Sequence, residues 1–576
     1  MCLEIRKMAK LVPEISTPMM NEADNIRYTA DLDYSHAMVV FMCVTIAFFA
    51  AVKLLSRITN TRIRRSPCGR RVLGFYRYIS YRSYYLQTFD WYSPSLGVIL
   101  IGVIGSVFTI TLLLAVKPYY WPNTKGAHAV SFGSSPPIAT RAGWMSLSLL
   151  PFIIALSAKQ NLITLLTGVS HEKLQVFHQW TAYAMLILAL VHTFPFIVYH
   201  IWLGDMMMQY SMTIWYWTGI ASLIPQAYLT LFPRFLRSRY YEFFKLSHFL
   251  AAPLFLVFLF LHCNFRLTSW DYFIATVCVY GVSLLVSWGR GLKNEKHTAT
   301  VERLDGGLVG VRMESKMRWR AGGHVFVRFI CGGLSNSVSA HPFTIASSPT
   351  IGKEGSEIKL FIKPHSGITA RLRSIAENQP NRKLTATIEG PYGGLPRSFK
   401  EFSSILILVG GSGGSIVVPM LEHFIATNAA TGIHLVWAVK SKDAIAWFEP
   451  ELLRLQSAAS AKHIAVKISI HVTRDHSTKP TSLINNESEA EKDLTLSGTS
   501  EEPVTGMSVF QGRPEIPVIV TEASEKATAV GIIACGPTGM VLDVQNAAAA
   551  LQLQIVMGRA RAAVEEAGLH TERFSW

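Results

Sequence analysis

Seven apolar runs follow one another within residues 37–288, at about 37–55, 95–116, 143–158, 176–199, 212–232, 246–263 and 271–288. A helix crosses a bilayer with ~20 apolar residues, in a range of about 17–25. One such run can be a buried core helix. Seven in succession predict a polytopic α-helical membrane domain, because a helix satisfies its own backbone hydrogen bonds in lipid. The third run is the shortest and stands at the margin of that range. Composition agrees: 16% of the 576 residues are charged and the mean hydropathy is +0.28, against about 25% charged in a typical soluble domain. An ordinary soluble chain and a disordered one are both excluded.

The loops orient the runs. Residues 57–89 carry Arg57, Arg62, Arg64, Arg65, Arg70, Arg71, Arg77 and Arg82 and no acid. Residues 233–245 carry Arg234, Arg237, Arg239 and Lys245 against Glu242. By the positive-inside rule both loops are cytosolic. The loops at 117–142, 200–211 and 264–270 alternate with them and are read as outside, with Lys117, Lys125, Arg141 and Arg266 against Asp205. Residues 1–36 are then a short extracellular N-terminus, without the apolar core of a cleaved signal peptide. The net charge of +16 is accounted for largely by this asymmetry, so the chain needs no nucleic acid as a partner; its partner is the lipid bilayer. The seven cysteines (2, 43, 68, 263, 278, 331 and 535) contain no CxxC pair, which indicates neither a disulfide framework nor a zinc site.

Four histidines stand inside the apolar runs. His178 and His192 are 14 residues apart on the fourth run, and His248 and His262 are 14 apart on the sixth. Fourteen residues turn about 1400°, close to four full turns, and rise ~21 Å. Each pair therefore lies on one helix face, with one histidine near each membrane surface. The two runs are parallel, so His178 can meet His248 at the cytosolic side and His192 can meet His262 at the outer side. Ionisable groups at such depth are costly and mark function. Each meeting offers two axial imidazoles to one haem iron, an arrangement suited to electron transfer rather than oxygen binding. His128, His171 and His200 break the spacing and are read as ordinary.

Beyond Trp288 the pattern changes to short β-branched segments of mixed charge. Segments at 300–301, 308–312, 324–330, 358–363 and 384–388 alternate without a helical period and predict a small antiparallel barrel. Within it runs His341-Pro342-Phe343-Thr344-Ile345-Ala346-Ser347, which offers a flat apolar face and a hydroxyl. Residues 405–409 form a continuous apolar strand that leads into Gly410-Gly411-Ser412-Gly413-Gly414-Ser415 and then a helix through 416–427. Glycines at such a switch let the backbone approach a pyrophosphate at the helix N-terminus. A second strand, 529–535, ends in Cys535-Gly536-Pro537.

Together these residues resemble the fungal ferric-chelate reductase family, within the superfamily that includes the NADPH oxidases. The resemblance runs over about residues 95–576. It includes the histidine pairs, the HPFTIAS segment, Glu389–Gly393 (EGPYG), the GGSGGS turn, Ala534–Pro537 (ACGP) and the terminal Glu572–Trp576. It implies a membrane domain followed by a cytosolic ferredoxin-reductase-like module, an antiparallel β-barrel FAD domain plus an α/β nucleotide domain. It implies FAD, two b-type haems and NADPH. His341 to Ser347 look like the flavin-binding motif, and Gly367 and Thr369 like the element under the FAD pyrophosphate. Gly410 to Ser415 and Cys535 to Pro537 look like the NADPH site, with Arg474 a further candidate at its 2′-phosphate. Phe574 and Trp576 resemble terminal aromatics at the flavin face. The implied domains are 37–288 for haem, 289–397 for FAD and 398–576 for NADPH. Two departures stand out: the N-terminus is short, and residues 475–505, with seven acids and two lysines, read as a flexible insertion.

The expected function is a multi-pass plasma-membrane metalloreductase with its C-terminal half in the cytosol. It takes electrons from NADPH through FAD and the haems to extracellular ferric or cupric chelates, in the service of iron homeostasis. No side chain is assigned a catalytic role of its own, because the redox chemistry belongs to the cofactors. The alternative is an NADPH oxidase making superoxide on the same path. Both histidine pairs have 13 intervening residues, which matches the reductase pattern. A transporter would show inverted repeats, and none is visible. The sequence identifies no permease or oxidase partner for metal uptake.

Overall fold

The computed structural model describes residues 22–58, 63–64, 66–114, 121–122, 130–131, 137–158, 160–291, 296–304, 307–331, 340–349, 355–365, 367–473, 507–558 and 564–572. The chain divides into two compact units, residues 1–58 with 101–288, and residues 59–100 with 289–576. The long helices up to the boundary are α1 (Glu22–Ile58), α2 (Pro67–Tyr81), α3 (Leu96–Leu114), α4 (Pro137–Ser148), α5 (Leu150–Ser157), α6 (His171–Leu203), α7 (Ile214–Leu231), α8 (Tyr241–Cys263) and α9 (Ser269–Gly291).

Among the described residues, seven helices are long and apolar enough to cross a membrane. Six coincide with expected runs: Leu32–Ser56, Leu96–Leu114, Ile138–Ser157, Lys173–Leu203, Tyr241–Cys263 and Ser269–Gly289. The seventh, Thr538–Met557, lies in the second unit and is apolar for a different reason given below. The expected run at 212–232 folds as α7 but is less apolar than the rest. Thr218, Ser222, Gln226 and Thr230 recur every fourth residue along it, and all four are buried. Residues four apart share a helix face, so α7 turns a polar stripe toward its neighbours, as polar residues in membrane bundles do.

The marginal third run is longer than expected. It begins at Pro137 and is broken by a turn at Leu149, ahead of Pro151 in the first turn of α5. Arg141, read above as an outer-loop charge, is instead fully buried within α4. Its guanidinium stacks over the Tyr34 ring at 3.7 Å, and Nη1 donates to the Leu113 carbonyl. The planar cation is held between α1 and α3, which is why a helix can start before an arginine that hydropathy alone leaves outside.

In the second unit, β1 (Lys296–Arg303), β2 (Val309–Ser315), β3 (Gly323–Ile330), β4 (His341–Thr344), β5 (Ser356–Ile362), α10 (Ile368–Asn378) and β6 (Arg382–Gly393) form the expected antiparallel domain. Its strand order is β4-β3-β6-β1-β2-β5. A bond from Ala346 N–H to the Lys359 carbonyl draws the two edges of the sheet together. Alternation sets its core: Val325, Val327 and Phe329 on β3 and Ile358, Leu360 and Ile362 on β5 point inward.

The remainder is a parallel sheet of β7 (Ser404–Gly410), β8 (Gly432–Val439), β9 (Ala465–Val472), β10 (Met507–Gln511), β11 (Ala529–Cys535) and β12 (Glu566–Glu572). Helices α11 (Val417–Thr427), α12 (Glu449–Ser460), α13 (Ile516–Glu525) and α14 (Thr538–Met557) accompany it. The order is β10-β9-β8-β7-β11-β12, with every pairing parallel. Ile405 to Val409 are wholly buried because both faces of a parallel sheet are covered. Helix α14 is one of those covers. Its Val541, Val544, Ala548, Leu551 and Ile555 are buried, which makes it a core helix despite its hydropathy.

The arginine-rich loop expected at 57–89 in the membrane half belongs almost wholly to this second unit, which takes in residues 59–100. Arg77 donates to the Ala567 carbonyl at 2.8 Å and to Glu566 Oε1 at 3.1 Å. The Leu569 N–H donates to Tyr81 Oη, and the Ser83 N–H to Asn546 Oδ1. Arg64 also pairs with Glu401. Arg77 and Glu566 keep 15% and 6% of their side-chain exposure, so removing one leaves a buried charge. Arg77→Ala is expected to destabilise this unit by about 3 kcal/mol, or ~6–12 °C in melting temperature, measured by flavin release on heating. A melting temperature equal to the parent's would show the pair to be screened.

Candidate electron-transfer site

The outer histidines face one another as the helical spacing requires. The imidazoles of His192 on α6 and His262 on α8 have ring centroids 5.8 Å apart at 78°. His178 and His248 lie within electrostatic reach of each other one level away. The second nitrogen of each ring matters as much. His192 Nδ1 lies 2.8 Å from the Ala139 carbonyl, His262 Nδ1 2.6 Å from the Trp215 carbonyl, and His178 Nδ1 3.0 Å from the Ile153 carbonyl. A carbonyl only accepts, so each of these Nδ1 atoms carries the proton and each Nε2 keeps its lone pair. That is the tautomer a metal-ligating histidine needs, held by the backbone contact that usually accompanies ligation. His248 Nδ1 is buried without a hydrogen-bond partner.

The pairs therefore fit a haem iron. Each supplies two imidazoles, the number of axial positions an iron in a macrocycle leaves to the protein. The gap between the outer rings is about two metal–imidazole bonds of ~2 Å plus the ring radii. Among the described residues no group of three or more His, Cys, Asp or Glu forms a cage for a bare ion. His200, read as ordinary, donates through Nδ1 to Asp205 at 2.8 Å, a pairing at the end of α6 that serves the local turn.

In the barrel, His341 to Thr344 form β4 at the sheet edge, paired with β3 from His341↔Val327 to Thr344↔His324. Phe343 stands edge-on to Phe329 at 6.2 Å. Ile345 and Ala346 are buried in the core. The Ser347 hydroxyl donates to the Glu357 carbonyl and accepts from the Lys359 N–H, so it serves the barrel closure. Gly367 precedes α10 with φ +60, a conformation that favours glycine, and Thr369 Oγ1 accepts from the His365 N–H. This brings an open helix N-terminus to the barrel, the usual seat of a pyrophosphate. His324 stacks on Tyr392 at 5.8 Å, and Tyr392 Oη donates to Glu389, which ties the EGPYG segment to β3.

The glycine turn sits at the topological switch. In the sheet order β7 is flanked by β8 and β11, and the chain reverses direction across the sheet there, which opens a crevice at the strand ends. Gly410 to Ser415 and Cys535 to Pro537 meet at that crevice. A Cβ on Gly413 would stand 2.7 Å from the Cys535 carbonyl oxygen, and one on Gly410 2.7 Å from Pro537 Cδ. A Cβ on Gly414 would lie 3.0 Å from the Trp437 ring, whose Nε1 donates to the Gly411 carbonyl. Gly411 alone faces open space, and it needs glycine for its φ of +56. Gly410 and Gly413 thus let two turns touch, Gly414 makes room for the Trp437 ring, and Gly411 turns the chain. Ser412 is half-buried, Ser415 and Cys535 are buried, and Gly536 packs on Gly410. Burial, with the Glu572 carboxylate adding to it, pushes the Cys535 thiol well up, so it stays protonated and inert.

The 346–361 edge of the barrel and the α11–α12 face of the sheet border a cleft lined by Glu357, Glu422 and Glu451 beside Lys359 and Arg454. Three carboxylates do not suit a phosphate, and the crevice at the glycine turn has no such lining of carboxylates among the residues named above. Phe574, Trp576, Arg474 and the 475–505 insertion lie outside the described residues. The sequence reading missed Ala139, Trp215 and Ile153. They act through backbone carbonyls, which leave no side-chain signal.

Three family models match in order along the chain. They are a ferric reductase like transmembrane component over residues 142–259, an FAD-binding domain over 293–395 and a ferric reductase NAD binding domain over 402–549. A probable cell surface ferric reductase, kap2, of Aspergillus oryzae is 34% identical over 387 residues, covering 62% of this chain and 50% of the relative. Ferric/cupric reductase transmembrane component 7 of Saccharomyces cerevisiae is 28% identical over 421 residues, covering 70% of this chain and 65% of the relative. The chain thus spans about half to two thirds of the length of these relatives. A solved ferredoxin NADP+ reductase from Neisseria gonorrhoeae is 15% identical, covering 49% of this chain and 98% of its own, with a TM-score of 0.32.

Proposed function

We propose that this chain, a homologue of the fungal ferric reductases that joins a ferric-reductase-like transmembrane component to FAD-binding and NAD-binding domains, is an NADPH-dependent transmembrane metalloreductase. Its acceptors are ferric or cupric chelates outside the cell, and its setting is the plasma membrane. The observation that carries the reading is the outer histidine pair, with both Nδ1 protons committed to carbonyls and both Nε2 atoms left as ligands.

Bound here, NADPH would supply the hydride, FAD the division into single electrons and two haems the means of carrying them across the bilayer. The chain's own residues hold and orient. His178 with His248, and His192 with His262, each take one iron, and backbone carbonyls lock three of these rings. Gly410 to Ser415 and Cys535 to Pro537 seat the dinucleotide at the switch point. His341 to Thr344 line the flavin, and Gly367 and Thr369 receive its pyrophosphate. Residues 37–288, 289–397 and 398–576 serve haem, FAD and NADPH in turn.

The sidedness has physical support. The arginine-rich segment 59–100, cytosolic by the positive-inside rule, folds into the same compact unit as 289–576. The similarity to a probable cell surface ferric reductase and to a ferric/cupric reductase transmembrane component supports the reductase over the oxidase.

The test is a comparison of acceptors on intact cells. With a membrane-impermeant ferric chelate, ferrous iron should form faster than superoxide, and faster for anionic than neutral chelates. Buried Arg141 cannot add to an outer field, so steering rests on Lys117, Lys125 and half-buried Arg266. Raising ionic strength should therefore slow the anionic chelate only modestly. Superoxide dominating under saturating ferric citrate would establish the oxidase instead.

A further inference from the structure

The outer histidines share a feature that the inner ones lack. His192 reaches the Ala139 carbonyl across α4, and Gly143 stands one helical turn further on. His262 reaches the Trp215 carbonyl across α7, and Gly219 again stands one turn further on. A Cβ on Gly143 would lie 2.6 Å from His192 Nδ1 and 2.9 Å from Cε1. A Cβ on Gly219 would lie 2.8 Å from His262 Nδ1 and 2.9 Å from Cε1. Real Cβ atoms do not approach a ring this closely, and neither ring can retreat without losing its carbonyl.

The carbonyl of a helical residue points toward the N–H four residues later. An imidazole that donates to it must lie over that later residue. A side chain there crowds the ring at the short separations of the outer pair, where glycine at the fourth residue after the acceptor leaves it room. The arrangement recurs on two different helices. Glycine weakens a helix interior relative to alanine, a cost that this contact explains. At the inner level His178 uses the Ile153 carbonyl at a longer 3.0 Å, and the fourth residue after it is Ser157. Other glycines of the same unit behave differently. A Cβ on Gly102 would strike the Trp180 ring at 2.1 Å, an ordinary packing contact between helices, and Gly281 has nothing within 4 Å.

We infer that Gly143 and Gly219 are positioning residues for the outer iron site: each opens the path by which an outer histidine anchors its Nδ1 proton on a backbone carbonyl and presents Nε2 in a fixed orientation. The inference rests on the reading of the histidine pairs as haem ligands. An added methyl group at either glycine pushes one ring off its carbonyl, which frees its tautomer and its rotation. The inner pair has no such glycine and is left intact.

The experiment uses the full chain purified in detergent, as the parent and as Gly143→Ala, Gly219→Ala and Gly281→Ala. Haem and FAD per chain, redox titration of the haem bands and electron paramagnetic resonance of the ferric haems are measured. In the parent, two haems per FAD test the underlying reading, and a parent without haem overturns that reading first. In Gly143→Ala and Gly219→Ala we expect FAD to be retained. One of the two haem signals should be lost, or displaced in both midpoint potential and resonance position, with the other unchanged. Gly281→Ala should match the parent. Two undisturbed haem signals in both variants would overturn the inference, with the parent's two haems still standing. Loss of both haems together with FAD would overturn it as well, since it would assign the glycines to general packing, the behaviour expected of Gly102→Ala.

Discussion

His192→Ala is expected to eliminate electron delivery to an external acceptor while leaving NADPH-dependent reduction of the flavin at the parent rate. Loss of a histidine's outer-shell partner alone typically costs about 10–100-fold in metal affinity or activity. Loss of the ligand itself should therefore reduce external ferric reduction by at least ~100-fold. His192 is the stronger choice of the outer pair because its ring is fixed on three sides. It meets His262 at 5.8 Å, the Phe196 ring at 5.1 Å and the Ala139 carbonyl at 2.8 Å. Among the described residues, His200 near the same end of α6 is committed to Asp205 and does not stand ready to replace it. Stopped-flow reduction of the flavin by NADPH, beside ferrous-iron formation by the same preparation, separates the two halves of the path. Full haem content with normal ferric reduction would show that His192 is not a ligand.

The second large effect should appear at the other end of the path. Gly413→Val places a branched side chain where even a Cβ stands 2.7 Å from the Cys535 carbonyl oxygen and 3.3 Å from its Sγ. These atoms belong to the end of β11, which is locked in register beside β7 through Val409↔Cys535. A strand carbonyl in a central parallel pair cannot swing aside as a side-chain tip can. The glycine turn must move instead, and with it the backbone that would receive the pyrophosphate. Misplacement by ~1 Å can cost 10²-fold in rate, so flavin reduction by NADPH should slow by about 100-fold. Chemical reduction by dithionite should still give the parent haem spectrum, because the histidine helices lie in the other compact unit. Gly411→Asn is the contrasting case. Its site is open, and asparagine tolerates positive φ, so little should change. Parent kinetics in Gly413→Val would mean that this turn does not seat the nucleotide.

Much of the architecture was legible because it is written in local periodicity. The apolar runs, the period-two strands around 308–312 and 358–363 and the continuous strand at 405–409 all fold as their patterns require. The 14-residue histidine spacing foretold the meeting of His192 with His262, since helix geometry converts separation along the chain into a face and a depth. Two helices show that mean apolarity is not a measure of surroundings. Thr538–Met557 is apolar because it covers a parallel sheet. Ile214–Leu231 is less apolar because four polar residues face its neighbours.

The sequence by itself determined the elements, their order and the residues with chemistry to offer, because propensity, alternation and helical repeat act over a few residues. The tertiary structure decided what depends on contacts between distant segments. It buried Arg141 over Tyr34, where composition made it a surface charge. It drew the arginine-rich segment 59–100 onto β12 and α14 through Arg77 and Glu566, where charge counting saw only a loop. It chose the carbonyls of Ala139, Trp215 and Ile153 as partners for three imidazoles. Every residue carries a carbonyl, so nothing in the order of side chains distinguishes these three. Only the close approach of two helices selects them, and at the outer level that approach depends on the side chains that Gly143 and Gly219 do not have.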